Sequence, residues 1–155
     1  MLGVGTISRC VLEGVCKAFI AGSSVDGVES KIFISARSSA NANELITLYP
    51  KNLEIKTNEE IASLCDWVVI SVRPEQVEGL CKDLTFREDQ IILNFVSACL
   101  TEEQAKEFFA PAQRIVRISP WPCSKNRLGP VLVLNSPGEQ VEEFLSLFGD
   151  VVKVD

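Results

Sequence analysis

Short, uniformly apolar runs alternate along this chain with longer amphipathic runs. This alternation is typical of parallel strands that are covered on both faces by the helices connecting them. It predicts an α/β fold with a mainly parallel sheet. The predicted strands cover residues 31–35, 53–57, 67–72, 90–96, 114–119, 131–134 and 151–154.

The predicted helices carry their own start signals. Capping boxes, in which two side chains satisfy free backbone N–H groups, are predicted at residues 57–60, 101–104 and 136–139. Proline at the first helical position, where its missing N–H costs nothing, predicts helices beginning at Pro74 and Pro137. The glutamate pairs at 59–60, 102–103 and 142–143 then complement helix dipoles, and we do not expect them to form acid/base dyads.

The composition indicates one acidic globular domain over residues 1–155. Hydrophobic residues make up 46% of the chain, and 15 Lys plus Arg stand against 21 Asp plus Glu, a net charge of −6. Because nucleic acids and anionic membranes attract basic surfaces, we expect neither as a partner. No apolar run approaches the roughly 18 residues of a membrane span, and the N-terminus lacks a secretory signal, so the expected location is the cytoplasm.

The chain contains no histidine, which excludes Ser-His and Cys-His nucleophile pairs and the commonest zinc ligand. Its six cysteines include no pair at the two-residue spacing of zinc or redox sites, and most fall in apolar runs. We therefore expect buried free thiols and no metal site.

A glycine-rich turn near the start has the spacing G-x-G-x-x-S over residues 3–8 and precedes a helical run. In a dinucleotide-binding turn, the first glycine allows a tight turn and the second lets the backbone approach a pyrophosphate. The helix start then directs its free N–H groups at the phosphates. With the alternating pattern, this predicts a Rossmann-like, doubly wound fold; a glycine-rich turn without a ligand is the alternative. The candidate phosphate-binding residues are Gly3, Gly5, Thr6, Ile7 and Ser8.

The tip of the following strand indicates which dinucleotide is bound. An NAD site usually has an acidic residue here for the ribose hydroxyls, whereas this chain has Ser35, Arg37 and Ser38. A guanidinium and hydroxyls suit a 2′-phosphate, which favours NADP over NAD. A solvated surface role for Arg37 is the alternative, and the lack of an acid disfavours a methyltransferase.

The strand before the glycine turn is unusually short, because only Met1 and Leu2 precede Gly3. This strand lies at the centre of a Rossmann-like sheet, and neighbouring strands need its backbone groups as partners. We expect a truncated first strand. Either the natural start lies upstream, or another segment or chain fills the remaining length.

These segments together resemble the N-terminal NADP-binding domain of the pyrroline-5-carboxylate reductase family, over nearly the whole chain. Residues 3–8 look like its dinucleotide loop and residues 35–38 like its 2′-phosphate loop. Residues 69–76 are similar to its apolar strand ending in Ala-Val-Lys-Pro-Gln, and related hydroxyacid and F420-type reductases share the pattern. The resemblance implies that NADP contacts Val72, Arg73 and Pro74, with Asn58 near the adenosine portion.

The chain departs from this family where the substrate is expected. Ser97-Ala98-Cys99 replaces Ala-Ala-Gly, and Trp121-Pro122-Cys123 replaces Asn-Thr-Pro. The family continues into a helical domain that completes the dimer and the substrate site, and residues 1–155 do not match that domain. We therefore expect a homo-oligomer, a partner chain or a longer parent protein to complete the site.

Two functions follow from this pattern. One is an oxidoreductase that transfers hydride from NADP(H) to a cyclic imine or carbonyl. The alternative is a non-catalytic nucleotide-binding module that acts as a sensor, regulator or scaffold. No catalytic residue is assigned, because Tyr49, Cys99 and Cys123 are each better explained by packing. Arg73 fits phosphate contact and solvent exposure equally well.

Overall fold

The structure is a computed structural model that describes residues 1–27, 31–36, 39–96, 99–134 and 136–154. Helices and strands alternate along most of its length. In chain order the elements are α1 Thr6–Ile20, β1 Ile32–Ser35, α2 Ser39–Leu48, β2 Leu53–Lys56, α3 Asn58–Leu64, β3 Trp67–Ile70, α4 Pro74–Lys82, β4 Ile91–Asn94, α5 Glu102–Phe108, β5 Arg114–Ser119, a 3-10 helix Pro122–Asn126, β6 Pro130–Leu134, α6 Glu139–Ser146 and β7 Asp150–Val154.

The strands pair mostly in parallel. β1 pairs with β2, and the five remaining strands form a sheet in the order β3-β4-β5-β6-β7. Within that sheet only the β5–β6 pairing is antiparallel among the described strands. The predicted α/β, Rossmann-like fold is confirmed, and each of the seven predicted strands is present, although several end earlier than predicted. The strand predicted over 67–72 ends at Ile70, because the chain then bends toward Pro74 at the start of α4.

Met1 and Leu2 join the two groups of strands as a very short first strand. Leu2 forms a parallel bridge with Ile70. The Leu2 N–H donates to the Val69 carbonyl (2.8 Å), and the Met1 amino group donates to the Phe33 carbonyl. The two residues therefore lie between β1 and β3, at the centre of the combined strand order, as the truncated-strand prediction requires.

Two apolar clusters cover the two faces of the strands. Helices α1, α2 and α6 cover one face, with Val15, Leu45 and Val141 fully buried. Helices α3, α4 and α5 cover the other, where Ile61 and Val77 are fully buried. This arrangement is the doubly wound packing that the uniformly apolar strands predict.

The predicted helix starts are confirmed at three places. Thr57 and Thr101 each accept the N–H of the third helical residue (3.2 Å in both), and the side chains of Glu60 and Gln104 complete the boxes. Pro74 is the first residue of α4, and the Arg73 N–H donates to the Gln76 side chain (3.3 Å).

The capping box predicted at residues 136–139 and the helix start predicted at Pro137 are both wrong. Helix α6 begins at Glu139, and Gly138 is its cap with a φ of +83° and no side-chain hydrogen bond. The Arg114 Nη2 donates to the Pro137 carbonyl (2.6 Å), which holds this segment outside the helix. A contact with a residue so far away in the chain overrides the local signal.

The six cysteines differ in how exposed they are. All six cysteines are free, but only Cys16 is buried; Cys99 is exposed, and Cys10, Cys65, Cys81 and Cys123 are half-buried. The prediction of buried thiols therefore holds fully for Cys16 but not for the other five cysteines.

Among the described residues, no helix is long and apolar enough to cross a membrane.

Candidate functional site

The turn at Gly3 requires glycine for two physical reasons. Its φ is +92°, a conformation that L side chains rarely adopt. A Cβ at this position would also lie 2.3 Å from the Ser71 carbonyl oxygen and 2.9 Å from the Val72 side chain. The glycine turn therefore packs directly against the loop that follows β3.

Three serine hydroxyls fix the turn from both sides. The Gly3 N–H donates to the Ser35 Oγ (3.0 Å) at the end of β1. On the other side, the Ser8 Oγ donates to the Ser71 Oγ (2.6 Å). Ser8 and Ser35 are buried. Both predicted site residues therefore hold the turn in place with their side chains.

Gly5 leaves open space in front of the first turn of α1. An added Cβ at Gly5 would meet no described atom within 4 Å, so the protein's own packing does not demand glycine here. Gly5 is the N-cap of α1 and supplies no side-chain hydrogen bond to the helix start. Thr6 and Ile7, the next two residues, are exposed and half-buried. This open, uncapped start of a 15-residue helix fits a phosphate group.

Arg9 does not supply a free positive charge to this site. Its guanidinium makes two hydrogen bonds of 2.7 Å to the Glu44 carboxylate and one of 3.0 Å to Glu13. The hydrogen bonds from Arg9 to Glu44 lower the pKa of the Glu44 carboxyl. Because this charge is already paired, the groups at the turn that suit an anion are the backbone N–H groups at the start of α1.

The loop after β3 supplies the other predicted contacts. Val72 lies beside Gly3, whereas Arg73 and Pro74 are exposed at the start of α4. Asn58, the first residue of α3, lines a 410 Å³ cavity against α4 together with Gln76. The structure thus brings Val72 to the glycine turn and places Asn58 between α3 and α4.

Only part of the segment predicted to bind the 2′-phosphate lies within the described residues. Arg37 and Ser38 lie outside the described residues, and so do Ser97 and Ala98. Of the predicted strand tip, Ser35 is described, and its hydroxyl contacts the glycine turn.

Three polar residues beside the glycine turn or at strand ends were not predicted as site residues. Ser71 contacts both Gly3 and Ser8, and Asn41 donates its side-chain N–H to the Val4 carbonyl (3.0 Å). Asn94 ends β4 and is fully buried; its Oδ1 accepts the Val96 N–H, while its Nδ2 has no partner among the described residues. The position of Ser71 and Asn94 at the ends of apolar strands is the signal that could have identified them.

The structure also shows the surroundings of Cys123, Trp121 and Tyr49, the remaining candidates for the substrate site or for catalysis. The Cys123 Sγ lies against Gly129, where an added Cβ would be 2.4 Å away. Trp121 is 52% exposed. Tyr49 follows the end of α2, so it lies toward the opposite edge of the strands from the glycine turn. The described residues bring together no three acidic, cysteine or histidine side chains that could hold a metal ion.

Comparison with models of known protein families identifies the family of this chain. Residues 1–97 match the model of the family described as NADP oxidoreductase coenzyme F420-dependent. The chain belongs to this family. The match covers more than half of the chain and includes the glycine turn, Asn58 and the loop after β3. No curated protein matches the sequence significantly.

Solved structures of similar fold include two pyrroline-5-carboxylate reductases. The enzyme from Coxiella burnetii has a TM-score of 0.76 at 20% identity, over 99% of this chain and 57% of its own. The Plasmodium falciparum enzyme, solved with NADP bound, has a TM-score of 0.77 at 17% identity, over 99% and 56%. A reductive aminase from Aspergillus terreus, solved with NADPH4, cyclohexanone and allyl amine, has a TM-score of 0.69 at 17% identity, over 99% and 52%.

These likenesses concern the fold and the N-terminal portion of the solved chains. This chain spans a little over half the length of each. Together with the family match, they make the described structure an NADP-oxidoreductase-like domain with a Rossmann-like fold.

Proposed function

We propose that this chain binds NADP(H) at the glycine turn and serves as the cofactor domain of an oxidoreductase that reduces a cyclic imine or carbonyl. The observation that carries the proposal is the contrast between two glycines. Gly3 is required by the fold, because a side chain would collide with Ser71. Gly5 is not, because the space in front of it is open, as a pyrophosphate needs.

Each candidate residue has a distinct part in this proposal. The backbone at Gly5, Thr6, Ile7 and Ser8 would hold the pyrophosphate at the start of α1. Gly3 and Ser35 would set the turn, while Arg37 and Ser38 would bind the 2′-phosphate. The cofactor would then pass Val72, Arg73 and Pro74, with Asn58 on the adenosine side.

The cofactor would supply the hydride, and this chain would position it. Strand ends at the carboxyl edge of a Rossmann-like sheet face the bound dinucleotide. The buried Asn94 amide lies at such an end, and its Nδ2 has no partner in the described part of the chain. An unpaired buried donor is costly, so a polar ligand group there would be favoured.

The substrate side of the proposal needs more than this chain supplies in the described residues. Tyr49 lies toward the opposite edge, and Cys123 packs on Gly129. Hydride transfer requires the acceptor carbon to be held close to the nicotinamide. We propose that residues 1–155 form one domain and that a second copy, a partner chain or the rest of a longer parent protein completes the substrate site.

Calorimetric titration of the protein with NADPH, and separately with NADH, tests the cofactor assignment. We expect tighter binding of NADPH, and an Arg37→Ala change should weaken it by about 1 to 3 kcal/mol while leaving NADH binding unchanged. Equal affinity for both nucleotides, unaffected by Arg37→Ala, would contradict the 2′-phosphate assignment.

The alternative of a non-catalytic binding module is tested separately. NADPH oxidation is followed with 1-pyrroline-5-carboxylate and with a simple cyclic imine. Turnover that depends on the imine supports the oxidoreductase and contradicts the non-catalytic module.

A further inference from the structure

Strand β2 (Leu53–Lys56) is the outermost strand at one side of the fold. Among the described strands it pairs only with β1, and β1 is bonded to Met1 on its other side. The outer edge of β2 therefore carries no further strand in the described part of the chain. An uncovered strand edge is a template for pairing with another chain, because its N–H and C=O groups lack partners.

The hydrogen bonds between β1 and β2 determine which backbone groups of β2 point outwards. The Ile32 N–H donates to the Asn52 carbonyl (2.9 Å), and Ile32 lies opposite Leu53 in a parallel register. In a parallel pair, alternate residues of a strand bond to the neighbouring strand. Glu54 therefore directs its N–H and C=O toward β1, whereas Ile55 directs both of these groups away from β1.

Ile55 is the free position at the centre of this edge. The Leu53 N–H already donates to the Tyr49 carbonyl (3.1 Å). The Thr57 N–H donates to the Glu60 side chain (2.8 Å). Neither the N–H nor the C=O of Ile55 has a hydrogen-bond partner among the described residues. Two antiparallel copies of this edge can therefore exchange two hydrogen bonds through Ile55, one in each direction.

The charged side chains beside Ile55 make this edge self-complementary. Glu54 and Lys56 lie on one face of the strand and form an ion pair (2.9 Å), with side chains that are 37% and 26% exposed. Lys31, which precedes β1, binds the same carboxylate (3.0 Å). When Ile55 of one copy lies opposite Ile55 of a second, antiparallel copy, each Glu54 lies opposite a Lys56. Opposite charges in such cross-strand pairs are favourable.

The neighbouring registers of the same pairing are unfavourable. Because outward-facing residues alternate along the strand, the register can shift only by two residues. A shift in one direction places Glu54 opposite Glu54, and a shift in the other places Lys56 opposite Lys56, which is destabilising. Short, charged edge strands commonly discourage pairing in this way. At this edge the charges oppose the shifted registers and favour the central one.

We propose that β2 pairs antiparallel with β2 of a second copy of this chain, with the two-fold axis at Ile55. The two α2 helices, which pack on β2 through the apolar cluster containing Leu45 and Leu53, then lie on the same face of the joined sheet. Their approach extends the interface beyond the four residues of the strand. The interface is isologous, so it closes at two copies. It uses none of the residues of the glycine turn and does not depend on the cofactor assignment.

Sedimentation equilibrium over a range of protein concentrations tests the dimer. We expect the wild-type protein to show a concentration-dependent equilibrium between monomer and dimer. Ile55→Pro should weaken dimerisation at least about tenfold, because proline removes the N–H that is exchanged across the axis. Proline is tolerated where an edge-strand N–H faces solvent, and circular dichroism checks that the variant is folded. A wild-type protein that stays monomeric up to about 1 mM would overturn the proposal.

Two charge variants test the register, and each is the control for the other. Glu54→Lys places a lysine opposite Lys56 of the second copy, and Lys56→Glu places a glutamate opposite Glu54. Each variant alone should dimerise at least about tenfold more weakly than the wild type. Mixed in equal amounts, the two variants should form a heterodimer, because both lysines of one chain then face both glutamates of the other.

General attraction between the two altered chains is tested by adding Ile55→Pro to both of them, which should prevent the heterodimer. Failure of the two charge variants to form a heterodimer would contradict the register. If the wild type dimerises and neither Ile55→Pro nor either charge variant weakens the dimer, another surface forms it and the proposal is wrong.

Discussion

A Cβ on Gly3 would lie 2.3 Å from the carbonyl oxygen of Ser71, so the glycine turn and the loop after β3 are packed backbone against backbone. This contact fixes the position of the α1 start relative to β3. The fold itself therefore requires glycine at position 3, whereas glycine at position 5 is needed only if a ligand binds there.

Gly3→Ala should therefore destabilise the fold strongly. The change adds a side chain at positive φ and a collision with a backbone atom that cannot easily move. We expect a loss of more than about 2 kcal/mol in the free energy of unfolding, measured by urea denaturation.

Gly5→Ala is the matched control for that change. Its φ of −84° suits any residue and its Cβ meets open space. We expect unfolding free energy within about 1 kcal/mol of the wild type, together with weaker NADPH binding. A Gly5→Ala protein that binds NADPH normally would show that no phosphate approaches this position.

Two helical glycines should respond to alanine in opposite directions. In α4, an added Cβ at Gly79 meets no described atom within 4 Å, so Gly79→Ala should stabilise the protein by about 0.5 to 1 kcal/mol. In α1, the Cβ of Gly14→Ala would lie 2.2 Å from the Ser124 carbonyl oxygen, which should destabilise the contact with the 3-10 helix. Thermal unfolding of the two variants under one condition checks both signs.

The buried amino group of Met1 should make stability depend on pH. Burial lowers its pKa from 8.0 to about 5. Between these values the unfolded chain binds the proton and the folded chain does not, so the free energy of unfolding rises as pH increases from 5 to 8. The rise over this range should be on the order of 4 kcal/mol.

Few other groups obscure this measurement, because the chain contains no histidine. Urea denaturation at a series of pH values provides the curve. Acetylation of the amino group removes the titration, so the acetylated protein should show a nearly flat profile in the same range. If the free energy of unfolding still rises with pH after acetylation, the effect comes from another group.

Cysteine reactivity should follow exposure and pKa. Burial raises the pKa of Cys16 to about 12 and that of Cys81 to about 11, whereas Cys99 is exposed. Because the thiolate is the reactive form, we expect iodoacetamide to modify Cys99 first and Cys16 last at about pH 8. Mass spectrometry after short exposure gives the order, and the urea-unfolded protein should lose it. Early modification of Cys16 in the folded protein would show that α1 opens readily.

The sequence predicted the parts of the fold that depend on local pattern. The apolar strands and the capping boxes at Thr57 and Thr101 formed as predicted, because their signals lie within a few residues. The box at residues 136–139 failed, since Arg114 on a distant strand binds the Pro137 carbonyl. No periodicity encodes such a contact.

The same distinction between local signals and long-range contacts holds for the candidate site. The spacing of residues 3–8 predicted the turn, and Gly3 has the geometry that the motif requires. The hydroxyl pair of Ser8 and Ser71 joins positions that are far apart in the chain, so only the fold reveals it.

Backbone amide NMR of the isotope-labelled protein during titration with NADPH tests directly whether the glycine turn binds the cofactor. We expect the largest chemical-shift changes at the start of α1, from Gly5 to Ser8, with further changes at Val72 and Arg73. Amides at the opposite edge of the strands, such as that of Trp67 at the start of β3, should change little. Binding that leaves Gly5 to Ser8 unchanged, or no binding at all, would contradict the assignment of the glycine turn as the NADP(H) site.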